Sequence, residues 1–147
     1  MIADLKPYSD YKESGAPLLN QVPATWEVIP FSRLASQKVI LGQTERQLLS
    51  VYLNRGVVRF VEVAEKRTNS TSEDLSQYQA VDPGDLVLNN QQAWRGSVGV
   101  SAHSGIISPA YFVLRLSPQL LPKYANLLFR EYEGTSHLPA TVSKHQD

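Results

Sequence analysis

The chain has 147 residues, 42% hydrophobic and 9% aromatic, which suits one domain with a core and excludes a disordered tail. Its 14 Lys and Arg balance 14 Asp and Glu, so net charge gives no argument for nucleic acid, and the absence of Cys excludes disulfides, thiolate zinc sites and thiol catalysis. No apolar run approaches the roughly 18 residues of a membrane span, and no apolar stretch follows a basic N-terminus, so the expectation is a cytoplasmic protein without signal peptide or membrane partner.

In chain order, the first 30 residues show no sustained periodicity and read as an extended, turn-rich lead-in, with Trp26 anchored against the core. Phe31 to Lys38 fits a short helix with Phe31, Leu34 and Ala35 on one face. Leu48 to Leu53 is a strand, Asn54-Arg55-Gly56 a turn, and Val57 to Val61 the return strand of a hairpin. Lys66 to Glu73 is a charged, hydroxyl-rich surface loop, and Ser72 to Tyr78 a short helix with Ser72 as N-cap. Pro83-Gly84-Asp85 is a turn, since Pro presets φ and Gly supplies a positive one. It is followed by short strands at Leu86–Leu88, Val98–Val100, Gly105–Ile107 and Tyr111–Leu116. Ala102 to Gly105 reads as a hairpin tip carrying His103, and Ser108-Pro109 as the break between the last two strands. Pro122 to Tyr132 forms a helix, with Tyr124, Leu127 and Leu128 at i, i+3 and i+4 as its apolar face. Together these elements give an α+β domain of short, twisted, mostly antiparallel strands and hairpins with a few short helices. The domain spans 1–134, and a polar tail over 135–147 frays.

Function has few places to reside. His103, His137 and His145 are too scattered for a metal cluster, so no metal ligand is assigned. Asp82 and Asp85 flank the Pro-Gly turn and are expected to bond the local backbone. Gly96 and Gly99 lie among strands with no helix after them, which excludes a phosphate-binding glycine loop. Ser108-Pro109-Ala110-Tyr111 is similar to the tetrapeptide of amino-group DNA methyltransferases, but no Gly-rich cofactor loop or βαβ series precedes it. Neither a cofactor nor a catalytic set is expected.

The loop Asn89–Arg95 is different. Its carboxamides and guanidinium match base edges in the DNA major groove, so Asn90, Gln91 and Gln92 are candidates for adenine and Arg95 for guanine or phosphate. Asn89 is read as a cap and Trp94 as a packing residue. From Pro30 to Arg67 the chain carries seven bases against three acids, which nominates Arg55, Arg59, Lys66 and Arg67 as phosphate contacts, with Arg55 and Arg59 flanking the hairpin turn.

As a set these residues resemble the N-terminal target recognition domain of type I restriction–modification specificity subunits. The likeness rests on Tyr8-Ser-Asp-Tyr-Lys-Glu-Ser-Gly15 with Val22-Pro-Ala-Thr-Trp26-Glu27, on Leu48–Tyr52 with Gly56–Arg59, and on Ser72–Tyr78 through Pro83–Asn89. Gly96–Ser101 and Gly105–Tyr111 complete it, so that it spans residues 8–132. The resemblance implies a fold like the DNA methylase specificity domain and a module that reads one half of a bipartite site in double-stranded DNA. It also implies that methylation and cleavage belong to partner modification and restriction subunits, making this chain a non-catalytic component. The family continues into a long spacer helix and a second recognition domain, so the resemblance implies a chain truncated before the spacer. A truncated decoy, binding a modification subunit without reading DNA, is the alternative.

Overall fold

The computed structural model describes residues 6–17, 19–53, 55–60 and 74–131. The fold is α+β, built from short strands in small sheets with few helices. The chain divides into two compact units, Met1–Pro30 and Phe31–Asp147, where the sequence reading draws one domain over 1–134.

The first unit is more ordered than a lead-in. Strands β1 (Tyr11–Ala16) and β2 (Leu19–Pro23) pair antiparallel, with Tyr11 opposite Pro23 and a register shift between Glu13 and Ala16. Trp26 is exposed rather than anchored in a core, and its ring meets Tyr8 edge-on at 5.8 Å within the same unit.

The second unit is organised by a four-stranded antiparallel sheet. Its order is β3 (Ala35–Gln37), β10 (Tyr111–Leu116), β7 (Leu86–Asn89), β8 (Val98–Val100). Successive residues of a strand face opposite sides, so a sheet covered on both faces needs continuous apolar runs. Leu86-Val87 and Val113-Leu114 meet that need. Val87 and Val113 join Leu49, Val51, Val57, Val81 and Ile107 in one core. Leu86 and Leu114 join Val98, Leu120, Ala125 and Phe129 in the other. The first core is closed by two antiparallel pairs, β4 (Leu49–Tyr52) with β5 (Gly56–Arg59) and β6 (Gln79–Val81) with β9 (Gly105–Ile107). A parallel bridge between Leu48 and Ile106 connects the two pairs. The second core is closed by helix α1 (Phe31–Leu34) and helix α2 (Pro122–Glu131), whose Phe31 and Phe129 rings meet edge-on at 5.0 Å.

Three expectations are corrected. The helix expected over Phe31 to Lys38 stops at Leu34, and Ala35–Gln37 instead pairs with β10, where ladder bonds outweigh weak local helix preference. Helix α2 is present, but its buried face is Ala125 and Phe129, while Tyr124, Leu127 and Leu128 are exposed. Two apolar stripes run along this helix, and the one bearing Phe129 faces the Leu86–Leu114 core. His103 does not cap a hairpin, because β8 and β9 belong to different sheets; it sits in a bend where its N–H donates to Ser101 Oγ at 3.0 Å. The capped turn before β6 is a 3-10 turn, Leu75–Gln77, whose described cap is Asp74, accepting from Ser76 N–H at 2.9 Å. Ser72, Val61, Tyr132 and the 135–147 tail lie outside the described residues.

The β4–β5 hairpin is present with its turn one residue earlier than expected, β4 ending at Tyr52 and β5 starting at Gly56: Arg55 N–H donates to Tyr52 O at 3.1 Å and Gly56 takes the positive φ of 72°. Beside it β5 and β8 approach closely. A β-carbon on Gly99 would stand 3.0 Å from Gly56 Cα and 3.3 Å from Val57 N, backbone atoms that cannot rotate away. The other side of this edge strand is also occupied, since Val100 N–H donates to Asn126 Oδ1 of α2 at 3.0 Å. Gly99→Ala is therefore expected to destabilise the unit by about 1–3 kcal/mol, the usual cost of overpacking. Urea denaturation of the variant beside the parent chain measures it.

Candidate functional site

The amide-rich segment is the tip of the β7–β8 hairpin, and its backbone is held at many points. Asn89 Oδ1 accepts from the N–H groups of Gln91 and Gln92 at 2.8 and 3.1 Å, so Asn89 caps the loop as expected. Asn90 N–H donates to Ala110 O at 3.2 Å, and Arg95 N–H to Gln92 O at 2.9 Å. Ala93–Arg95 forms a 3-10 turn that ends at Gly96 with φ of 86°. Ala93 is buried and pins the turn, while Asn90, Gln91, Gln92 and Arg95 are exposed. The Trp94 side chain lies outside the described part of the structure.

The tip of the β4–β5 hairpin lies alongside. A β-carbon on Gly96 would stand 4.0 Å from Leu53 Cδ2, and Gly56 faces Gly99 at the level of the strands. Since Leu53 is beside Gly96 and Gly56 beside Gly99, the two segments run in the same direction. Arg55 belongs to the β4–β5 hairpin's tip, between the two close approaches. Arg59 does not flank the turn but ends β5, about 13 Å further along at the rise of an extended strand. Both arginines are exposed. Lys66 and Arg67 lie outside the described residues. The fold thus sets the tip that carries Arg55 beside the end of the loop that carries Asn90, Gln91, Gln92 and Arg95, and places Arg59 at the far end of β5.

The basic stretch before Arg67 is not one face. Lys38, only 5% exposed, is a structural cation that local sequence gave no means of finding. Its Nζ donates to Asp82 Oδ2 at 2.6 Å and to Asp85 Oδ2 at 2.5 Å. Arg46 Nη1 binds the other Asp82 oxygen at 2.9 Å. Asp85 also accepts from Asp82 N–H at 2.8 Å, the local backbone bond expected of it. Two carboxylates held by an ammonium and a guanidinium are poor metal ligands, because a cation would have to displace both partners. A groove of about 300 Å³ opens beside this cluster, towards Arg115, Ser117 and Pro122, but the charges at its Lys38–Asp85 end already satisfy one another. Among the described residues no group of three His, Asp or Glu gathers as metal ligands would, and no helix is long and apolar enough to cross a membrane.

The Lys38 hydrogen bond, aided by Arg46, holds the Asp82 carboxyl below its ordinary value against the opposing effect of burial. Its contribution to stability is thus complete above the unfolded-chain value near ~3.9 and is lost as pH falls through the lower folded-state value. Lys38→Met leaves Asp85 buried without its cation and is expected to destabilise the fold by about 3–5 kcal/mol at neutral pH. The same variant should lose less stability than the parent on acidification below pH ~4, because the favoured carboxylate has lost its main partner. Thermal unfolding of both proteins across that range measures the difference.

No known protein family, curated protein or solved structure matches the chain.

Proposed function

We propose that the chain is a target recognition module that reads duplex DNA, one half of a bipartite site, for the modification and restriction subunits of a cytoplasmic type I restriction–modification system. On this reading it is not itself catalytic. The observation that carries the proposal is the juxtaposition of two hairpin tips, one bearing the exposed carboxamides of Asn90, Gln91 and Gln92 with Arg95, the other bearing Arg55. Carboxamides bond bidentately to the adenine N6 and N7 edge, and guanidinium to guanine or to phosphate. A two-stranded ribbon is narrow enough to enter the major groove. The many backbone bonds of the loop favour readout as well, since a reader must present its donors in fixed geometry.

The exposed apolar stripe of α2, Tyr124, Leu127 and Leu128, with Leu121 just before the helix, favours a second reading: a protein-interaction domain that binds a modification subunit without reading DNA. Purified modification subunit retained by the chain, together with no shift of any duplex, would select that reading over the first.

Two sets of variants test DNA reading. Arg55→Ala and Arg95→Ala are each expected to weaken binding to all duplexes and to lower the slope of log K against log salt by about 0.9 per lost phosphate contact. Arg59→Ala, at the far end of β5, serves as the comparison and should leave the slope unchanged. Gln91→Ala or Gln92→Ala should instead alter preference at one base pair, by roughly 1–3 kcal/mol for a bidentate contact. Fluorescence anisotropy on a panel of single-pair variants distinguishes this from a uniform loss, which would remove the glutamines from direct readout.

A further inference from the structure

We infer that Leu53 is a specificity-determining residue of this interface, an apolar contact for the thymine 5-methyl group in the major groove. The inference rests on the DNA-reading proposal and names what the second hairpin tip contributes to it. Alternation along β4 places Leu49 and Val51 in the core, and Leu53 is the next residue of that series. The strand ends at Tyr52, however, and Leu53 emerges at the tip 49% exposed. A lone exposed leucine is ordinary on a protein surface. This one is distinguished by its neighbours. Its Cδ2 lies against Gly96, where the absent side chain leaves the approach open, and so borders the loop that presents three carboxamides. Arg55, two residues on, supplies charge for the backbone.

The chemistry of the groove completes the argument. Each adenine that a carboxamide could read is paired with a thymine, whose methyl group projects into the same groove. Carboxamides and guanidinium satisfy the hydrogen-bonding edge of such a pair and do nothing for its methyl, which is the apolar feature of the major-groove code. An apolar side chain beside the carboxamides removes that methyl from water and adds discrimination against cytosine, which lacks it.

The full chain is used to enrich duplexes from a random pool, and the enriched site is resynthesised with deoxyuridine replacing each thymine in turn. At one or two positions the missing methyl is expected to weaken binding about fourfold, the worth of one buried methylene-sized group. Leu53→Ala should bind the parent duplex more weakly and lose that sensitivity, whereas Leu53→Met should keep it. Because Leu53 is exposed, thermal unfolding of both variants should match the parent chain. Wild-type protein indifferent to every deoxyuridine, an enriched site of G·C pairs alone, or Leu53→Ala with undiminished sensitivity would each overturn the role of Leu53 and leave DNA reading standing. A pool that shows no enrichment would overturn both.

Discussion

A buried ammonium group fixes the geometry on which the second unit depends. Lys38 follows β3, its N–H donates to Val113 O of β10 at 2.8 Å, and its side chain reaches across to the turn between β6 and β7. The same turn is tied to the exit of β8, where Gly84 N–H donates to Ser101 O and Ser101 N–H to Asp85 O, both at 2.8 Å. Five strands, β3, β10, β6, β7 and β8, are thereby anchored at one place. A charge so buried is tolerated only because two carboxylates satisfy it, and the cost of leaving it unpaired makes the arrangement specific. The β7–β8 hairpin thus has a rigid base at Asp85 and Ser101 and an exposed tip at Asn90–Arg95, roughly 13 Å apart at the rise of an extended strand. Recognition surfaces are commonly built in this way, with variable tips on a scaffold that does not yield.

What was legible in the sequence follows from how local each determinant is. Pro83-Gly84 and Asn54-Arg55-Gly56 carry their turn geometry in the residues themselves, and Gly84 and Gly56 do adopt positive φ. The runs at Leu86–Asn89 and Tyr111–Leu116 are apolar on both faces, so neither needed its partner to be recognised as a strand. Ala35–Gln37 is the opposite case. Its extended state comes from Leu114, Arg115 and Leu116, nearly eighty residues away, and nothing in Ala-Ser-Gln announces it. The face of α2 was ambiguous for a related reason. Tyr124, Leu127 and Leu128 and the pair Ala125 and Phe129 both satisfy helical spacing, and only the aromatic contact with Phe31 decides between them.

The candidate site was legible in its chemistry and not in its assembly. Asn90, Gln91, Gln92 and Arg95 stand out in the sequence because the residue types are unusual together, and the fold keeps them on one exposed tip. The density of bases from Pro30 to Arg67 is a property of the linear chain and not of one surface. Folding sends Lys38 into the interior and Arg46 onto Asp82, and separates Arg59 from Arg55. Leu53 continues the alternation of Leu49 and Val51, which by pattern alone points it to the core. Only the position at which β4 stops, one residue earlier, turns it outward.

This redistribution of charge bears on how such a module could discriminate. Non-specific affinity for duplex DNA comes almost entirely from cations that release counterions, and specificity is measured against it. In a chain with 14 bases and 14 acids, two of whose cations are committed to Asp82 and Asp85, that non-specific term would be small. Base-edge contacts from a few carboxamides would then form a larger share of the total than in a strongly basic protein. The ratio of specific to non-specific binding could be high even where absolute affinity is low. A reader of that kind gains from being carried on a larger assembly, because partners that grip the phosphates raise its effective concentration at the groove without diluting its selectivity.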